Sequence, residues 1–341
     1  MSSISRTAID LFAGAGGATQ GLKDAGVNVL AAIEIDKDAG QTYSRNHPEV
    51  KLFRRDIRYV SAVSLRRELG LDRGELSIIK ACPPCQGFST LSGGRIAIDD
   101  VRNSLILQVR KFVSEFRPAY VLIENVPGLR KDSRLKIFTQ FLEAKGYAMH
   151  QYLVDAKDFG VPQRRKRLIV LGARSGSNTL PRSLPVRPIA ERTVRNALEG
   201  LEVLCSSSDL LNIPRKQSEV VAKRIRAIPP GGNRHNLPYE LQLDCHRRLD
   251  VGGYRSAAAS YGRLVWDKPA ATITTRCTTV ACGSFIHPSE NRAITLREAA
   301  ILQGFPHSYE FHGSYGSIER QIGNAVPCQL VTELVRSLEA P

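Results

Sequence analysis

No stretch of the sequence approaches the roughly 18 consecutive apolar residues that a membrane-spanning helix requires. The opening residues, MSSISRTAIDLF, lack the basic segment and long apolar run of an export signal. The expectation is a protein that remains where it is made, in the cytoplasm, with no membrane partner. Internal repeats, heptads and low-complexity tracts are missing too, which removes solenoids and coiled coils. Tryptophan occurs once, as Trp266, and reads as a packing residue. Cysteine numbers seven, an odd count that argues against a disulfide framework and for reduced thiols. Cys205, Cys245, Cys277, Cys282 and Cys328 are scattered and read mainly as small buried hydrophobes. Acidic residues are also in short supply: 48 Lys and Arg against 33 Asp and Glu leave a net charge of +15.

The 341 residues, 42% hydrophobic and 24% charged, suit a soluble globular chain of one large domain with an appendage, or of two domains. The basic excess points to a polyanion, because Lys and Arg gain affinity by displacing counterions from phosphates. It is densest in the middle: residues 1–173 carry +9, residues 174–292 carry +8 in a shorter span, and residues 293–341 carry −2. A nucleic-acid surface is therefore expected in the middle third.

Short apolar runs at Thr7–Phe12, Asn28–Ile33, Leu76–Ala81, Tyr120–Glu124, His150–Asp155 and Arg167–Gly172 read as strands. Between them lie helical patterns near Ala18–Ala25, Lys37–Asn46, Val60–Leu69, Ser104–Phe116 and Leu135–Lys145. This alternation implies crossover connections and a doubly wound α/β domain with a mostly parallel sheet. Ser175–Pro188 is rich in Ser and Pro and reads as a connector. From there to about Arg292 periodicity is poor and loops dominate, as befits a recognition region. Helix signals return at Thr295–Gln303 and Val326–Leu338.

The first strand runs into Asp10-Leu11-Phe12-Ala13-Gly14-Ala15-Gly16-Gly17, where glycines let backbone approach a ligand closely. Thr19 stands where a dinucleotide fingerprint needs its third glycine, and no GKS or GKT follows for a P-loop. Glu34, at the end of the second strand, is placed to accept hydrogen bonds from ribose hydroxyls. Loop and acid together point to an adenosine-type cofactor, without separating NAD from S-adenosylmethionine.

The strand Leu76–Ala81 ends in Ala81-Cys82-Pro83-Pro84-Cys85-Gln86-Gly87-Phe88-Ser89. A redox CxxC wants its cysteines at a helix N-terminus, whereas the Ser/Gly-rich run to Gly94 reads as a loop. A zinc site needs a second ligand pair, and neither Cys245-His246 nor Cys277 with Cys282 has that spacing, so no metal is expected. The third reading is a nucleophile at the carboxyl end of a strand, where open α/β sheets place their chemistry. Glu124, ending Val121-Leu122-Ile123-Glu124-Asn125-Val126-Pro127, supplies a partner acid that is costly to bury without a task.

With these blocks in view the chain resembles the DNA cytosine-5 methyltransferases. DLFAGAGG, PPCQGFS at Pro83–Ser89, ENV at Glu124–Val126, QRRKR at Gln163–Arg167, REAAILQGFP at Arg297–Pro306 and QIGNAVP at Gln321–Pro327 follow in that family's order. The resemblance implies a class I S-adenosylmethionine-dependent methyltransferase fold. It implies a catalytic and cofactor-binding domain at 1–185, completed by 317–341, and a smaller, loop-rich target-recognition domain at 186–316. Phe12, Gly14, Gly16, Glu34, Asp56, Leu105 and Asn324 would form the S-adenosylmethionine pocket. Phe12 would lie against the adenine, Glu34 would hold the ribose and Asp56 the adenine amino group. Cys85 would be the nucleophile, Glu124 the acid at the base's Watson–Crick edge, and Arg165 a support for base and cysteine, with Gln163 and Arg167 structural. Ser89, Arg247, Arg248, Arg263 and Thr272 are the candidates for contact with double-stranded DNA, Arg255 being a weaker one. Cys82 stands where the family usually has a small residue, and Cys328 where a second proline is common.

The implied chemistry explains the residue types. Thiolate addition at carbon 6 makes carbon 5 of cytosine enamine-like and able to accept a methyl group. A protonated Glu124, its pKa raised by burial, would donate to ring nitrogen 3. The target must leave the duplex to be reached, and the run Gln86–Val101 reads as a loop able to close over it. Two other readings stay open: a tRNA methyltransferase of the same family, whose Cys-Phe-Thr signature is missing, and an inactive DNA-binding regulator on the same scaffold. The compact build suits a monomeric bacterial or phage modification enzyme, with a cognate restriction endonuclease acting separately.

Overall fold

The computed structural model describes residues 6–84, 101–176, 179–185, 188–201, 209–251 and 259–338. Seven strands form one sheet: β1 (Thr7–Leu11), β2 (Asn28–Glu34), β3 (Lys51–Arg54), β4 (Ile78–Ala81), β5 (Tyr120–Asn125), β6 (Tyr147–Asp155) and β7 (Lys166–Arg174). Their order is β3-β2-β1-β4-β5-β7-β6, and only β7 runs against its neighbours. The order reverses between β1 and β4, so their carboxyl ends open a crevice at the switch point.

Side chains alternate across the sheet with a period of two. Ala8, Ile78, Leu122, Ile169 and Leu171 face one core; Ile9, Leu11, Ile79, Val121, Ile123 and Val170 face the other. Both faces are covered, which is why β4 and β5 read as near-continuous apolar runs. The first face is covered by α1 (Gly17–Asp24), α2 (Lys37–Asn46) and the C-terminal α11 (Cys328–Ser337). The second is covered by α3 (Ala62–Glu68), α4 (Val109–Phe116) and α5 (Ser133–Ala144). Helices α1 and α11 touch closely: a Cβ on Gly21 would stand 2.2 Å from the Cys328 carbonyl oxygen, so a side chain there would push them apart. The buried leucines of α11, Leu330 and Leu334, each contribute about 1.5–3 kcal/mol by leaving water.

Beyond β7 come α6 (Val194–Leu198), α7 (Glu219–Ala227), α8 (Asp244–Val251), α9 (Leu296–Leu302) and α10 (Tyr315–Asn324). Among the described residues this part has isolated bridges and no strands. A core around Ile225, Ile228, Leu237, Tyr261, Val280 and Ile286 holds it together. A further core joins Ala15 of the glycine loop to α6, α9 and α10. The doubly wound, mostly parallel sheet matches the sequence reading. Edge strand β3 and helices α6, α7, α8 and α10 were not anticipated. Cys277 and Cys328 are buried, Cys282 is half-buried, and Cys245, against expectation, is exposed.

Candidate active site

The turn out of β1 is built on unusual backbone. Phe12, Gly14 and Gly16 all have positive φ, at 61°, 57° and 91°. This folds the chain back so that Gly14 donates its N–H to Glu34 Oε2 at 2.7 Å. Glu34 Oε1 accepts from the N–H groups of Ile35 (2.9 Å) and Asp36 (2.7 Å). Burial raises the Glu34 pKa, and the three backbone donors partly offset that rise. Among the described residues, chain neighbours aside, no heavy atom lies within 4 Å of where a Gly14 Cβ would stand. The loop thus offers open backbone beside a half-buried carboxylate with accepting capacity left on Oε2, a combination that fits an adenosine ribose.

Behind the loop, Tyr309 donates its hydroxyl to the Ala15 carbonyl at 2.6 Å, and His47 Nε2 lies 2.9 Å from that hydroxyl and 3.3 Å from the Gly16 carbonyl. Burial, with the Lys23 ammonium nearby, lowers the His47 pKa to about 4, so the imidazole is neutral. Phe12 and Leu105 are both half-buried against the second core. Asp56 caps the turn Ile57–Tyr59, and Arg58 engages both of its oxygens, with Nη2 2.6 Å from Oδ2. That guanidinium holds the carboxyl below its usual range. Asn324, the last residue of α10, is exposed. An open depression lined by Arg58, Tyr59, Lys111 and Glu115 includes neither Glu124 nor Arg165 among its described lining residues.

At the tips of β4 and β5 the chemistry-bearing groups converge. Glu124 is 4% exposed. Cys82 Sγ donates to its Oε2 at 2.9 Å, and Arg167 Nε lies 2.7 Å from Oε1. That ion pair lacks the line of a hydrogen bond, leaving Oε1 a buried oxygen without a donor. Burial and then the Glu124 carboxylate push the Cys82 thiol well above its ordinary pKa, so it is a thiol and not a second nucleophile. Asn125 Nδ2 donates to the Pro83 carbonyl at 2.8 Å, tying the start of the PPC segment to the tip of β5. Cys85 and Ser89, with the rest of the run to 100, lie outside the described residues.

The QRRKR block divides its work differently from the expectation. Arg165 is buried, and its guanidinium donates to the carbonyls of Ile273 (2.7 Å), Gly323 (3.0 Å) and Ala325 (3.2 Å). Burial, then the neighbouring Arg167, brings its pKa down to about 9. Gln163 bonds Gln303, the Leu302 carbonyl and the Ile273 N–H, and Gln303 reaches the Ile322 carbonyl. These residues clamp three separate blocks together. Arg167, read from sequence as structural, is the arginine that meets Glu124.

Two of the residues expected to touch DNA hydrogen-bond within the protein, Arg263 buried and Thr272 exposed. Arg263 is 6% exposed and makes five hydrogen bonds, to the carbonyls of Ile225, Ile228, His287 and Glu290 and to Asn291 Oδ1. Its donors are spent on the C-terminal carbonyls of α7 and a nearby turn, so it is a core clamp and has nothing left for a guanine edge. Thr272 donates its hydroxyl to the Arg164 carbonyl at 2.7 Å. Arg247 is partly exposed and stacks over Tyr239 at 4.4 Å. The side chain of Arg248, and Arg255 entirely, lie outside the described residues.

The model of the C-5 cytosine-specific DNA methylase family matches residues 6–340. Among curated proteins, the Type II methylase M.HgiDII of Herpetosiphon aurantiacus is 34% identical over 97% of this chain and 94% of its own. The Type II methyltransferase M.Sau96I of Staphylococcus aureus is 31% identical over 96% of this chain and 74% of its own. Among solved structures, an Escherichia coli prophage protein described as a candidate DNA modification methyltransferase superposes with TM-score 0.69 at 26% identity, covering 98% of this chain and 99% of its own. Spodoptera frugiperda DNMT2 gives the same TM-score at 19% identity, over 98% of this chain and 100% of its own, a likeness of fold.

Proposed function

We propose, from the premise that this chain belongs to the C-5 cytosine-specific DNA methylase family and is a DNA cytosine methyltransferase, that it acts through a covalent adduct between Cys85 and a cytosine rotated out of duplex DNA. S-adenosylmethionine, held by Phe12, Gly14, Gly16, Glu34, Asp56, Leu105 and Asn324, supplies an electrophilic methyl group when bound. The Cys85 thiolate adds to carbon 6 of the base, and carbon 5 takes the methyl group. A base then takes the carbon-5 proton, and the electron pair of that C–H bond re-forms the ring double bond and expels the Cys85 thiolate, giving 5-methylcytosine. Glu124, when it carries the carboxyl proton, donates to ring nitrogen 3 while the adduct stands. Arg167 holds the Glu124 carboxylate in place, and Arg165 clamps the surrounding blocks.

One observation carries this reading. Glu124 is buried at a strand tip with Oε1 lacking a hydrogen-bond donor, and the next residue, Asn125, anchors the backbone two residues before Cys85. A carboxyl group is costly to bury without a task, and the edge of a bound base is one. The catalytic part is assigned to 1–185 with 317–341, and target recognition to 186–316, with Arg247, Arg248 and Ser89 toward DNA. The enzyme is assigned as a cytoplasmic monomer of a restriction-modification pair, with its endonuclease separate.

The test is transfer of a radiolabelled methyl group from S-adenosylmethionine to duplex DNA and to tRNA, with bisulfite sequencing of the product. Labelled cytosine at one duplex sequence context, lost in Glu124→Gln, is the expected result. Transfer to tRNA alone, or full activity in Glu124→Gln, would refute it.

A further inference from the structure

Cys82, the residue that follows β4, is fastened on both sides. Its backbone N–H meets the Leu11 carbonyl at 3.3 Å, which ties it to the end of β1. Its side chain packs, partly buried, against the first core and reaches toward β5, where Sγ donates to Glu124 Oε2 at 2.9 Å. Asn125 draws the next carbonyl, that of Pro83, to the same strand at 2.8 Å. Since β1 and β5 are the two neighbours of β4, the thiol has a fixed place in the crevice.

The Glu124 carboxyl has no preferred rotation of its own. The last torsion of a glutamate is broad, so its two oxygens are aimed by what they touch. Arg167 stands on the β7 side, 2.7 Å from Oε1, but off the line of a hydrogen bond. It supplies charge, which attracts over a range of angles and sets no single direction. Among the described residues, the Cys82 thiol is the hydrogen-bond donor that meets this carboxyl. Burial, then the Glu124 charge, keeps the proton on sulfur, so the donor is always present. Each carboxyl oxygen carries two lone pairs, and one bond from Cys82 leaves capacity for a base edge.

We propose that Cys82 is a positioning residue for methyl transfer, whose thiol fixes the rotation of the Glu124 carboxyl so that it meets the bound base in one orientation. The inference rests on Glu124 being the group at the base edge. The small side chain usual at this position in the family has no such donor. Alanine or glycine here leaves the carboxyl beside Arg167 and free to turn, so it spends less time in the productive orientation. That loss falls on the chemical step, because DNA affinity comes mainly from phosphate contacts and the cofactor is held by other residues.

Single-turnover methyl transfer to duplex DNA, at saturating DNA and S-adenosylmethionine, tests it in Cys82→Ala and Cys82→Ser. Cys82→Ala should slow transfer about tenfold, the scale of one hydrogen bond missing from the transition state. Its KM for DNA and its calorimetric affinity for S-adenosylmethionine should stay within about twofold of wild type. Cys82→Ser, which restores a donor, should recover the rate to within about threefold of wild type. A packing role predicts the reverse order, because a hydroxyl replaces sulfur against an apolar core no better than a methyl group does. Cys82→Gly carries the same expectation as Cys82→Ala and serves should alanine disturb folding. A wild-type rate in the variants without a donor, or a serine variant as slow as they are, overturns the proposal. Glu124→Gln in the same assay separates the two claims. If it is impaired while Cys82→Ala runs at the wild-type rate, Cys82 alone has been misread. If it is fully active, the Glu124 assignment fails and the role of Cys82 falls with it.

Discussion

Replacing Gly16 by alanine tests the support behind the cofactor loop. Gly16 has φ +91°, and a Cβ there would stand 2.6 Å from His47 Nε2, 2.7 Å from His47 Cδ2 and 2.7 Å from the Tyr309 hydroxyl. A left-handed backbone costs a non-glycine residue about 1–2 kcal/mol. The clash adds to this, because His47 is fully buried and has no free direction to swing. Relieving it means giving up the Tyr309–Ala15 or His47–Tyr309 hydrogen bond, each worth about 0.5–1.5 kcal/mol. Together these give a loss of about 1.5–3.5 kcal/mol. Urea denaturation without cofactor reads the stability part, and calorimetric titration with S-adenosylmethionine reads the binding part. The expected result is a lower denaturation midpoint together with at least tenfold weaker cofactor binding. A Gly16→Ala protein within 0.5 kcal/mol of wild type, with unchanged cofactor affinity, would refute the reasoning.

Three further outcomes follow from named contacts. Arg263→Met should destabilise the protein by about 3–5 kcal/mol, because it strips a buried arginine from its acceptors. The salt dependence of DNA binding should stay as it was; unchanged stability with a shallower salt slope would restore a phosphate role. Arg167→Ala leaves the buried Glu124 carboxylate without its ion-pair partner and should lower kcat/KM at least 30-fold, from a loss of about 2 kcal/mol or more, with calorimetric cofactor affinity intact. His47 has a folded-state pKa of about 4 against an ordinary 6.5, so the fold prefers the neutral ring. That contribution is fully present above pH 6.5 and is lost as pH falls toward 4, at about 1.4 kcal/mol per unit. Chemical denaturation between pH 7 and pH 4 should accordingly show a flatter stability profile in His47→Gln.

The sequence placed the chemistry at strand tips because glycine loops, strand-ending carboxylates and the CPPC run are local signals. Residues 7–12 and 28–33 needed only a short apolar run and a turn. What stayed hidden depends on long-range parity. Whether Arg165 or Arg167 meets Glu124 is decided by the register of β7 against β5, where Glu124 pairs with Ile169, and a one-residue slip would reverse the faces. Arg263 looked like a DNA contact because arginines in a basic region usually are; only the fold brings the C-terminal carbonyls of α7 to it. Edge strand β3 is four residues long with charged ends, too short for alternation to show. Lys80 was absorbed into an apolar run, and its ion pair appears only when β1 sets Asp10 beside it, 3.0 Å from the ammonium.

The most direct measurement uses duplex DNA carrying 5-fluorocytosine at the target, incubated with the enzyme and S-adenosylmethionine, followed by denaturing electrophoresis and peptide mass spectrometry. Fluorine at carbon 5 blocks the final proton loss, so a denaturant-resistant complex should form with the base bonded to Cys85, and none should form with Cys85→Ser. No complex with the wild-type protein at a sequence it methylates, or a bond mapped to Cys82, would contradict the account.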